Sequence, residues 1–377
     1  MMAIKRLHEL GQSLWLDFIR RDLLESGELT RLAENDEIRG LTSNPTIFEQ
    51  AIAGTELYSS TIKELVFQSF NTNQILDYII FKDVREACDQ LSQVYERTNG
   101  GDGFVSVEVN PKLANDTERT LDEAQRLWDT IKRPNLMIKI PGTLAGLPAI
   151  EQAIAKGINI NVTLIFSIER YVKVMQAYQS GLERRVRSKL PLNDISSVAS
   201  FFVSRVDTMV DKALQAVGKE SLLDTETTKK LKGKAAIANA KLAYQSFQTF
   251  VQTKQYLKLR ENKARYQRPL WASTSTKNPD FPDTYYVDNL IGPHTVNTVP
   301  PDTFDAFQDH GTAEPTLLIG EEEAASTIEA IENLGISMKV VTDRLENEGV
   351  EKFAASYANL VDTVRVMVGT LREFGTL

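Results

Sequence analysis

The sequence predicts a single (β/α)8 barrel, that is, eight parallel strands closed into a barrel and surrounded by helices. Short apolar runs alternate with longer amphipathic segments along the 377 residues, which is the pattern of a parallel sheet covered by its connecting helices. Eight such runs can be counted, the number that closes this barrel. The predicted strands cover residues 13–17, 38–43, 104–109, 136–140, 159–164, 197–203, 269–273 and 295–299.

Helical periodicity separates most of these strands, at residues 21–35, 73–97, 116–132, 147–156 and 168–182. A doubly wound open sheet is the alternative, and it usually places a glycine-rich turn after its first strand. Here Asp17 is followed by Phe-Ile-Arg-Arg, and the sequence contains no P-loop pattern. The barrel is therefore the favoured fold.

Two segments exceed what a minimal barrel needs. Residues 218–267 are lysine-rich and helical, and they predict a helical excursion before the seventh strand. Residues 321–377 predict a helical tail whose apolar positions, Phe353 among them, are spaced for packing on the barrel exterior. Without an internal repeat or a flexible linker, we expect residues 1–377 to form one domain, because single barrels with insertions reach this length.

Composition limits the possible partners and compartments. A net charge of −8 and a pI near 5.2 argue against binding to nucleic acid or to an anionic membrane, although a few local cations can still bind a small anion. No apolar run is long enough for a membrane span, and the first residues lack the apolar core of a signal peptide. The single cysteine, Cys88, indicates a reducing compartment, so we expect a cytoplasmic protein. The histidines are scattered, and we expect no metal site.

Lys139 is the most unusual residue of the predicted strands. It lies in the run Leu-Met-Ile-Lys-Ile at residues 136–140, where a charged ammonium is costly. An amine kept partly neutral in such a run is a nucleophile toward a carbonyl carbon. The alternative is a lysine near a strand end that extends its amine to solvent.

Polar residues at the ends of the other strands favour the nucleophile. In a barrel the carboxyl ends of all strands meet at one mouth. The residues expected there are Asp17, Asn44, Glu108, Lys139, Asn161, Thr163, Ser200 and Ser273. Taken singly, such residues also serve as helix caps, turn openers or backbone hydrogen-bond partners. Together, a lysine, two carboxylates, two amides and a threonine are the groups that Schiff-base chemistry requires.

Seven segments resemble the transaldolase family of the pentose phosphate pathway. The segments are Trp-Leu-Asp at 15–17, Leu-Thr-Ser-Asn-Pro-Thr at 41–46, Val-Ser-Val-Glu at 105–108, Met-Ile-Lys-Ile-Pro at 137–141, Asn-Val-Thr-Leu-Ile-Phe-Ser at 161–167, Ser-Phe-Phe-Val-Ser-Arg at 200–205 and Trp-Ala-Ser at 271–273. They occur in the family's order, and the chain length is similar to that of its longer bacterial branch. The resemblance implies the same barrel, no cofactor or metal, and transfer of a dihydroxyacetone unit between sugar phosphates.

The resemblance also implies catalytic roles. Lys139 matches the lysine that forms the Schiff base, and Asp17 matches the acid–base that handles the C4 hydroxyl. Glu108 matches the acid–base that works through a water during imine formation, and Thr163 matches the hydroxyl that positions this water. Two carboxylates on different strands can be tuned separately for the two proton transfers.

The remaining matched residues would bind substrate. Asn44 and Asn161 match the amides that hold the dihydroxyacetone hydroxyls, and Ser200 matches a serine near the substrate. Arg205 matches the family's phosphate-binding arginine.

The match weakens after the seventh strand, where many relatives carry a second arginine two residues beyond the serine that Ser273 matches. This chain has Ser275 at that position, so we assign phosphate binding to the next cation in the sequence, Lys277. The alternative for Lys277 is a solvated loop lysine.

The expected function is that of a transaldolase, which converts sedoheptulose 7-phosphate and glyceraldehyde 3-phosphate into erythrose 4-phosphate and fructose 6-phosphate. One alternative is a fructose 6-phosphate aldolase, a group that resembles much shorter barrels. Another is a sugar-phosphate-binding barrel without catalysis, which has no need for a lysine flanked by two acids. The expected partners are sugar phosphates, with a monomer and a homodimer both possible.

Overall fold

A computed structural model describes residues 2–220 and 222–374 of the chain. Eight parallel strands pair in chain order and close into a barrel, which confirms the predicted fold class. Met1, Ser221 and residues 375–377 of the predicted domain lie outside the described residues. The strands are β1 (Gln12–Leu16), β2 (Gly40–Thr42), β3 (Phe104–Glu108), β4 (Leu136–Pro141), β5 (Ile160–Ile165), β6 (Ser197–Phe202), β7 (Gln267–Ala272) and β8 (Thr295–Val299).

Helices surround the barrel and connect its strands. In chain order, the described residues form α1 (Met2–Glu9), α2 (Arg21–Glu25), α3 (Glu28–Glu34), α4 (Pro45–Ala53), α5 (Ser59–Phe67), α6 (Thr72–Gln90), α7 (Ser92–Arg97), α8 (Thr117–Ile131), α9 (Gly146–Lys156), α10 (Ile168–Arg187), α11 (Ser204–Glu220), α12 (Leu222–Leu231), α13 (Ala235–Val251), α14 (Lys254–Glu261), α15 (Tyr285–Asp288), α16 (Pro301–His310), α17 (Glu321–Asn333) and α18 (Met338–Phe374). Within these residues, no helix combines the length and the apolarity needed to cross a membrane.

The element boundaries differ from the predicted ones where local geometry intervenes. The helix predicted at 21–35 is divided into α2 and α3 by Gly27, whose φ of +77° is readily adopted by glycine. The pattern at 73–97 forms α6 and α7 instead of one helix. Strand β7 begins at Gln267, which the sequence assigned to the helical excursion, and the rest of that segment lies in α11 to α14 and their connections.

The register of β3, β4 and β5 determines which side chains meet inside the barrel. Glu108 on β3 pairs with Lys139 on β4, and Lys139 pairs in turn with Asn161 on β5. Paired residues of neighbouring parallel strands lie at the same height and on the same side of the sheet. Three polar side chains that are far apart in sequence are thus adjacent inside the barrel.

The long helix α18 crosses the carboxyl-terminal end of the barrel. A Cβ added at Gly349 would lie 2.9 Å from Leu164 Cδ2, so glycine permits close contact with the end of β5. Leu164 has a positive φ of 58° where the β5–β6 register shifts. Farther along the helix, Ser356 Oγ is hydrogen bonded to Thr46 Oγ1 on α4 at 2.9 Å. The tail therefore covers part of the mouth, and Phe353 lies at this mouth and not on the barrel exterior.

Candidate active site

A cavity of about 470 Å³ opens at the carboxyl ends of the strands, beneath α18. Its size is in the range of sites for small ligands. Eight of the residues predicted from the sequence line it, namely Asp17, Asn44, Lys139, Thr163, Ser200, Arg205, Ser273 and Lys277. Glu108 and Asn161 do not line the cavity, and both are buried next to Lys139 on the neighbouring strands.

The Lys139 amine is buried, with 5% of the residue exposed. Nζ donates a hydrogen bond to the Ser43 carbonyl oxygen at 3.0 Å and lies 3.5 Å from Glu108 Oε2. The ring centroid of Phe353, on α18, is 5.9 Å from Nζ. The amine is therefore held between a carbonyl, a carboxylate and an aromatic ring at the base of the cavity.

The Glu108 carboxyl is almost fully enclosed, with 2% of its side chain exposed. Burial raises its pKa to about 7, and nearby Asp17 contributes in the same direction. The charge of Lys139 opposes this rise but does not cancel it. A carboxyl with a pKa near 7 can both give and take a proton at neutral pH, as a general acid–base requires.

Three buried oxygen atoms near Lys139 have unused hydrogen-bonding capacity. Both carboxyl oxygens of Glu108 and the hydroxyl of Thr163 have no hydrogen-bond partner among the described residues. Thr163 pairs with Pro141, two residues beyond Lys139 on the same strand. Because buried polar atoms are normally satisfied, these oxygens are suited to hold a water or a substrate hydroxyl beside the amine.

Asp17 immediately follows β1 and lines the opposite side of the cavity. Its Oδ1 accepts a hydrogen bond of 2.6 Å from the Thr42 hydroxyl, whose oxygen is 2.6 Å from Thr298 Oγ1. Burial raises the Asp17 pKa, whereas the charge of Lys139, the Thr42 hydrogen bond and the charge of Arg205 lower it. A carboxylate with a raised pKa is a stronger base than a solvated one.

The two predicted amides are already oriented by protein groups. Asn161 Nδ2 donates to Ser106 Oγ at 3.0 Å, and its Oδ1 accepts from Ser200 Oγ at 2.7 Å. Asn44 caps α4 by accepting from the Ile47 amide at 3.1 Å. Asn161 retains one further N–H and Asn44 retains both of its N–H groups, so both side chains can still bind a hydroxyl.

The rim beside β6 and β7 carries positive charge. Arg205 lies in the first turn of α11, where the helix N-terminus also favours an anion. Its guanidinium carbon is 5.2 Å from the Phe202 ring centroid, and burial lowers its pKa. Ser273 adopts a φ of +57°, and its hydroxyl lies 3.0 Å from that of Ser204. Lys277 is exposed at the rim, in the connection after β7.

Sequence reasoning missed several side chains of this cavity, among them Thr42, Lys352 and Phe353. Thr42 is the last residue of β2 and belongs to the segment at 41–46, so its position at a strand end was a usable signal. Lys352 and Phe353 come from α18. No local pattern in the sequence indicates that this part of the tail reaches the mouth of the barrel. Over residues 2–220 and 222–374, no three His, Cys, Asp or Glu side chains are grouped so that they could hold a metal ion.

Comparison with known proteins shows which family this chain resembles. Residues 14–364 match the family described as transaldolase/fructose-6-phosphate aldolase. A transaldolase of Acidothermus cellulolyticus is 47% identical over 374 residues, covering 99% of both chains. A transaldolase of Thermobifida fusca is 47% identical over 96% of this chain and 97% of its own, and transaldolase 2 of a Nostoc strain is 46% identical over 98% and 99%.

Proposed function

This chain belongs to the transaldolase/fructose-6-phosphate aldolase family, and we propose that it transfers a dihydroxyacetone unit between sugar phosphates through an imine on Lys139. The donor and acceptor pairs are those expected from the sequence. Sedoheptulose 7-phosphate and glyceraldehyde 3-phosphate would give erythrose 4-phosphate and fructose 6-phosphate. The name transaldolase, carried by relatives that match almost the whole chain, favours transfer over release of free dihydroxyacetone.

The observation that carries the proposal is the presence of two carboxyl groups of different character near Lys139. Glu108 Oε2 is 3.5 Å from the amine, and Asp17 is close enough for its pKa to respond to the Lys139 charge. A site that only binds sugar phosphates does not require this arrangement. Two carboxyls at one amine are what imine formation and carbon–carbon cleavage require.

Imine formation is the first step. Lys139 Nζ attacks C2 of the ketose, and the resulting carbinolamine must lose its hydroxyl as water. Glu108, with a pKa of about 7, is partly protonated at neutral pH and can supply the proton. Its free oxygens and the Thr163 hydroxyl could hold the water that relays it. The product is a protonated imine.

Cleavage of the C3–C4 bond is the second step. Asp17 takes the proton of the C4 hydroxyl, which becomes the carbonyl of the departing aldehyde. The electron pair of the C3–C4 bond moves into C3–C2, and the C2–N double bond accepts electrons to give a neutral enamine. The Thr42 hydrogen bond orients the Asp17 carboxylate for this transfer.

The enamine must then persist until an acceptor aldehyde arrives. Asn44 and Asn161 would hold its hydroxyls, and amides do not readily donate the proton that would release dihydroxyacetone. Arg205 and Lys277 would bind the phosphate groups of donor and acceptor at the rim, together with Ser273. Reversal of the steps with the new aldehyde completes the transfer.

Several sequence expectations remain proposals. We expect a cytoplasmic location and no nucleic-acid partner, supported by a single buried cysteine and a net charge of −8. A monomer and a homodimer both remain possible. Activity should need no metal or cofactor, because the imine itself accepts the electrons, and it should persist in excess chelator.

Borohydride trapping tests the proposal. We expect protein treated with fructose 6-phosphate and borohydride to gain one covalent adduct, located at Lys139 by peptide mass spectrometry. Lys139→Met should gain none, and Lys156→Met, which removes an exposed lysine of α9, should be labelled as wild type. Labelling of Lys139→Met at another lysine would refute the assignment.

A further inference from the structure

We propose that Lys352, on the C-terminal helix α18, is a cation that binds the phosphate group of the sugar substrate together with Arg205 and Lys277. The inference rests on the proposed function, since it concerns the phosphate of the same substrate. In this proposal α18 covers the substrate site and also contributes a residue that binds the substrate.

Lys352 lies where a phosphate at the rim can reach it. It lines the same cavity as Arg205, Lys277 and Ser275. The next residue, Phe353, places its ring centroid 5.9 Å from both Lys139 Nζ and Arg205 Cζ. Lys352 therefore stands at the rim above the proposed catalytic amine, on the side of the cavity that carries the positive charge.

The backbone of α18 is held firmly at this point. Phe353 is 3% exposed, and Gly349 packs directly on Leu164 one turn earlier. One turn later, Ser356 is hydrogen bonded to Thr46. Contacts on both sides thus fix the backbone of Lys352, while the residue itself is exposed. A pre-positioned cation loses less conformational freedom on binding than one on a mobile loop.

The charges of the three cations are not neutralised by salt bridges, although Arg205 is close enough to Asp17 for the two charges to interact. None of Arg205, Lys277 and Lys352 forms an ion pair with a carboxylate within the part of the chain that the structure describes. Arg205 and Lys277 both repel Lys352, and Arg205 is the main reason that the pKa of Lys352 is lowered, followed by burial and by Lys277. A phosphate dianion placed among them replaces repulsion with attraction. Such a cluster fits a phosphate ester.

A second groove, on the outer side of the same helices, supplies a matched control. It is lined by Arg205 and Lys352 together with Lys212 and Arg344. Lys212 lies on α11 and is not part of the cavity that contains Lys139. Loss of its charge changes the general positive field of this region without removing a group from the proposed phosphate site.

Calorimetric titration with inorganic phosphate tests the inference without turnover. We expect Lys352→Met to weaken phosphate binding roughly fivefold or more, Lys352→Glu to weaken it further, and Lys352→Arg to retain most of it. Lys212→Met should bind phosphate as wild type does. In kinetics, Lys352→Met should raise KM for fructose 6-phosphate by a similar factor, with kcat nearly unchanged and the reaction of unphosphorylated fructose unaffected.

Three results would overturn the inference. One is a wild-type protein that binds no phosphate at tens of millimolar. Another is wild-type phosphate affinity in Lys352→Met. The third is an equal loss of phosphate affinity in Lys212→Met, which would show that the loss reflects the overall positive charge of this region. Because calorimetry does not require an imine, the absence of a borohydride adduct would count against the proposed function and leave this result unaffected.

Discussion

Glu108 and Lys139 are register partners on β3 and β4, with 3.5 Å between the carboxyl Oε2 and the amine Nζ. The pair is buried, and the charge of Lys139 does not fully offset the burial that raises the Glu108 pKa to about 7. Asp17 also has a raised pKa, and the charge of the same amine acts to lower it. The barrel thus provides one amine with two carboxyl groups whose proton affinities differ from those of solvated carboxylates.

Removal of the Arg205 side chain should affect phosphorylated substrates selectively. Arg205→Ala should raise KM for fructose 6-phosphate by roughly tenfold or more, because a charge-assisted contact is worth about 1.5–3 kcal/mol. Lys277→Ala should have a smaller effect, since Lys277 is exposed. Steady-state kinetics with fructose 6-phosphate and with unphosphorylated fructose measures both. If fructose lost as much relative rate as its phosphate ester, Arg205 would not be a phosphate ligand.

Thr42→Val should move the acid limb of the pH–rate profile for fructose 6-phosphate cleavage to higher pH. The Thr42 hydroxyl donates to the Asp17 carboxylate and thereby stabilises its ionised form. Loss of this bond should raise the Asp17 pKa further. If Asp17 acts as a base, cleavage will then require a higher pH. The measurement is the rate of fructose 6-phosphate cleavage from pH 5 to 9.

Thr298→Val is the control for Thr42→Val. The single Thr42 proton is directed to Asp17, so Thr298 donates to Thr42 and affects Asp17 only indirectly. A smaller shift is expected in Thr298→Val. An acid limb that stays in place in Thr42→Val would contradict the role given to this hydrogen bond.

Asp207 should make the stability of the protein depend on pH. It is buried on α11, where it accepts hydrogen bonds from the Ala236 amide at 2.8 Å and the Tyr286 hydroxyl at 2.9 Å, and burial raises its pKa to about 7. The folded protein therefore holds this proton at pH values where the unfolded chain, with a pKa near 3.8, has lost it. The contribution of Asp207 to the free energy of unfolding falls as pH rises from about 4 to about 7.

Asp207→Asn removes this dependence, because the amide does not titrate. Its free energy of unfolding relative to wild type should increase across that pH range, by at most about 4 kcal/mol. Urea unfolding at pH 5 and pH 8 gives the two values. Asp305→Asn, an exposed position on α16, should show no such change. A difference between Asp207→Asn and wild type that is constant with pH would show that Asp207 does not titrate in this range.

The sequence was sufficient to predict the barrel and eight residues that line the cavity, because both follow from local patterns. Strands of a parallel barrel end at one mouth, so polar residues at strand ends, such as Asp17, Lys139 and Thr163, are brought together whatever the details of packing. The contributions of Lys352 and Phe353 could not be predicted. The positions of these two side chains depend on the contact between Gly349 and Leu164, two residues that are separated by almost half of the chain.

The most direct test of the mechanism separates the two carboxyl groups by the mass of the trapped adduct. Asp17→Asn should still form the imine with fructose 6-phosphate but stall before cleavage, so borohydride should trap the whole six-carbon phosphate. Glu108→Gln should form adduct slowly, and this adduct should be mostly the three-carbon unit, because its cleavage base is intact. Intact-mass spectrometry distinguishes the two adducts. Accumulation of the three-carbon adduct at the wild-type rate in Asp17→Asn would contradict the assignment of Asp17 as the base for carbon–carbon cleavage.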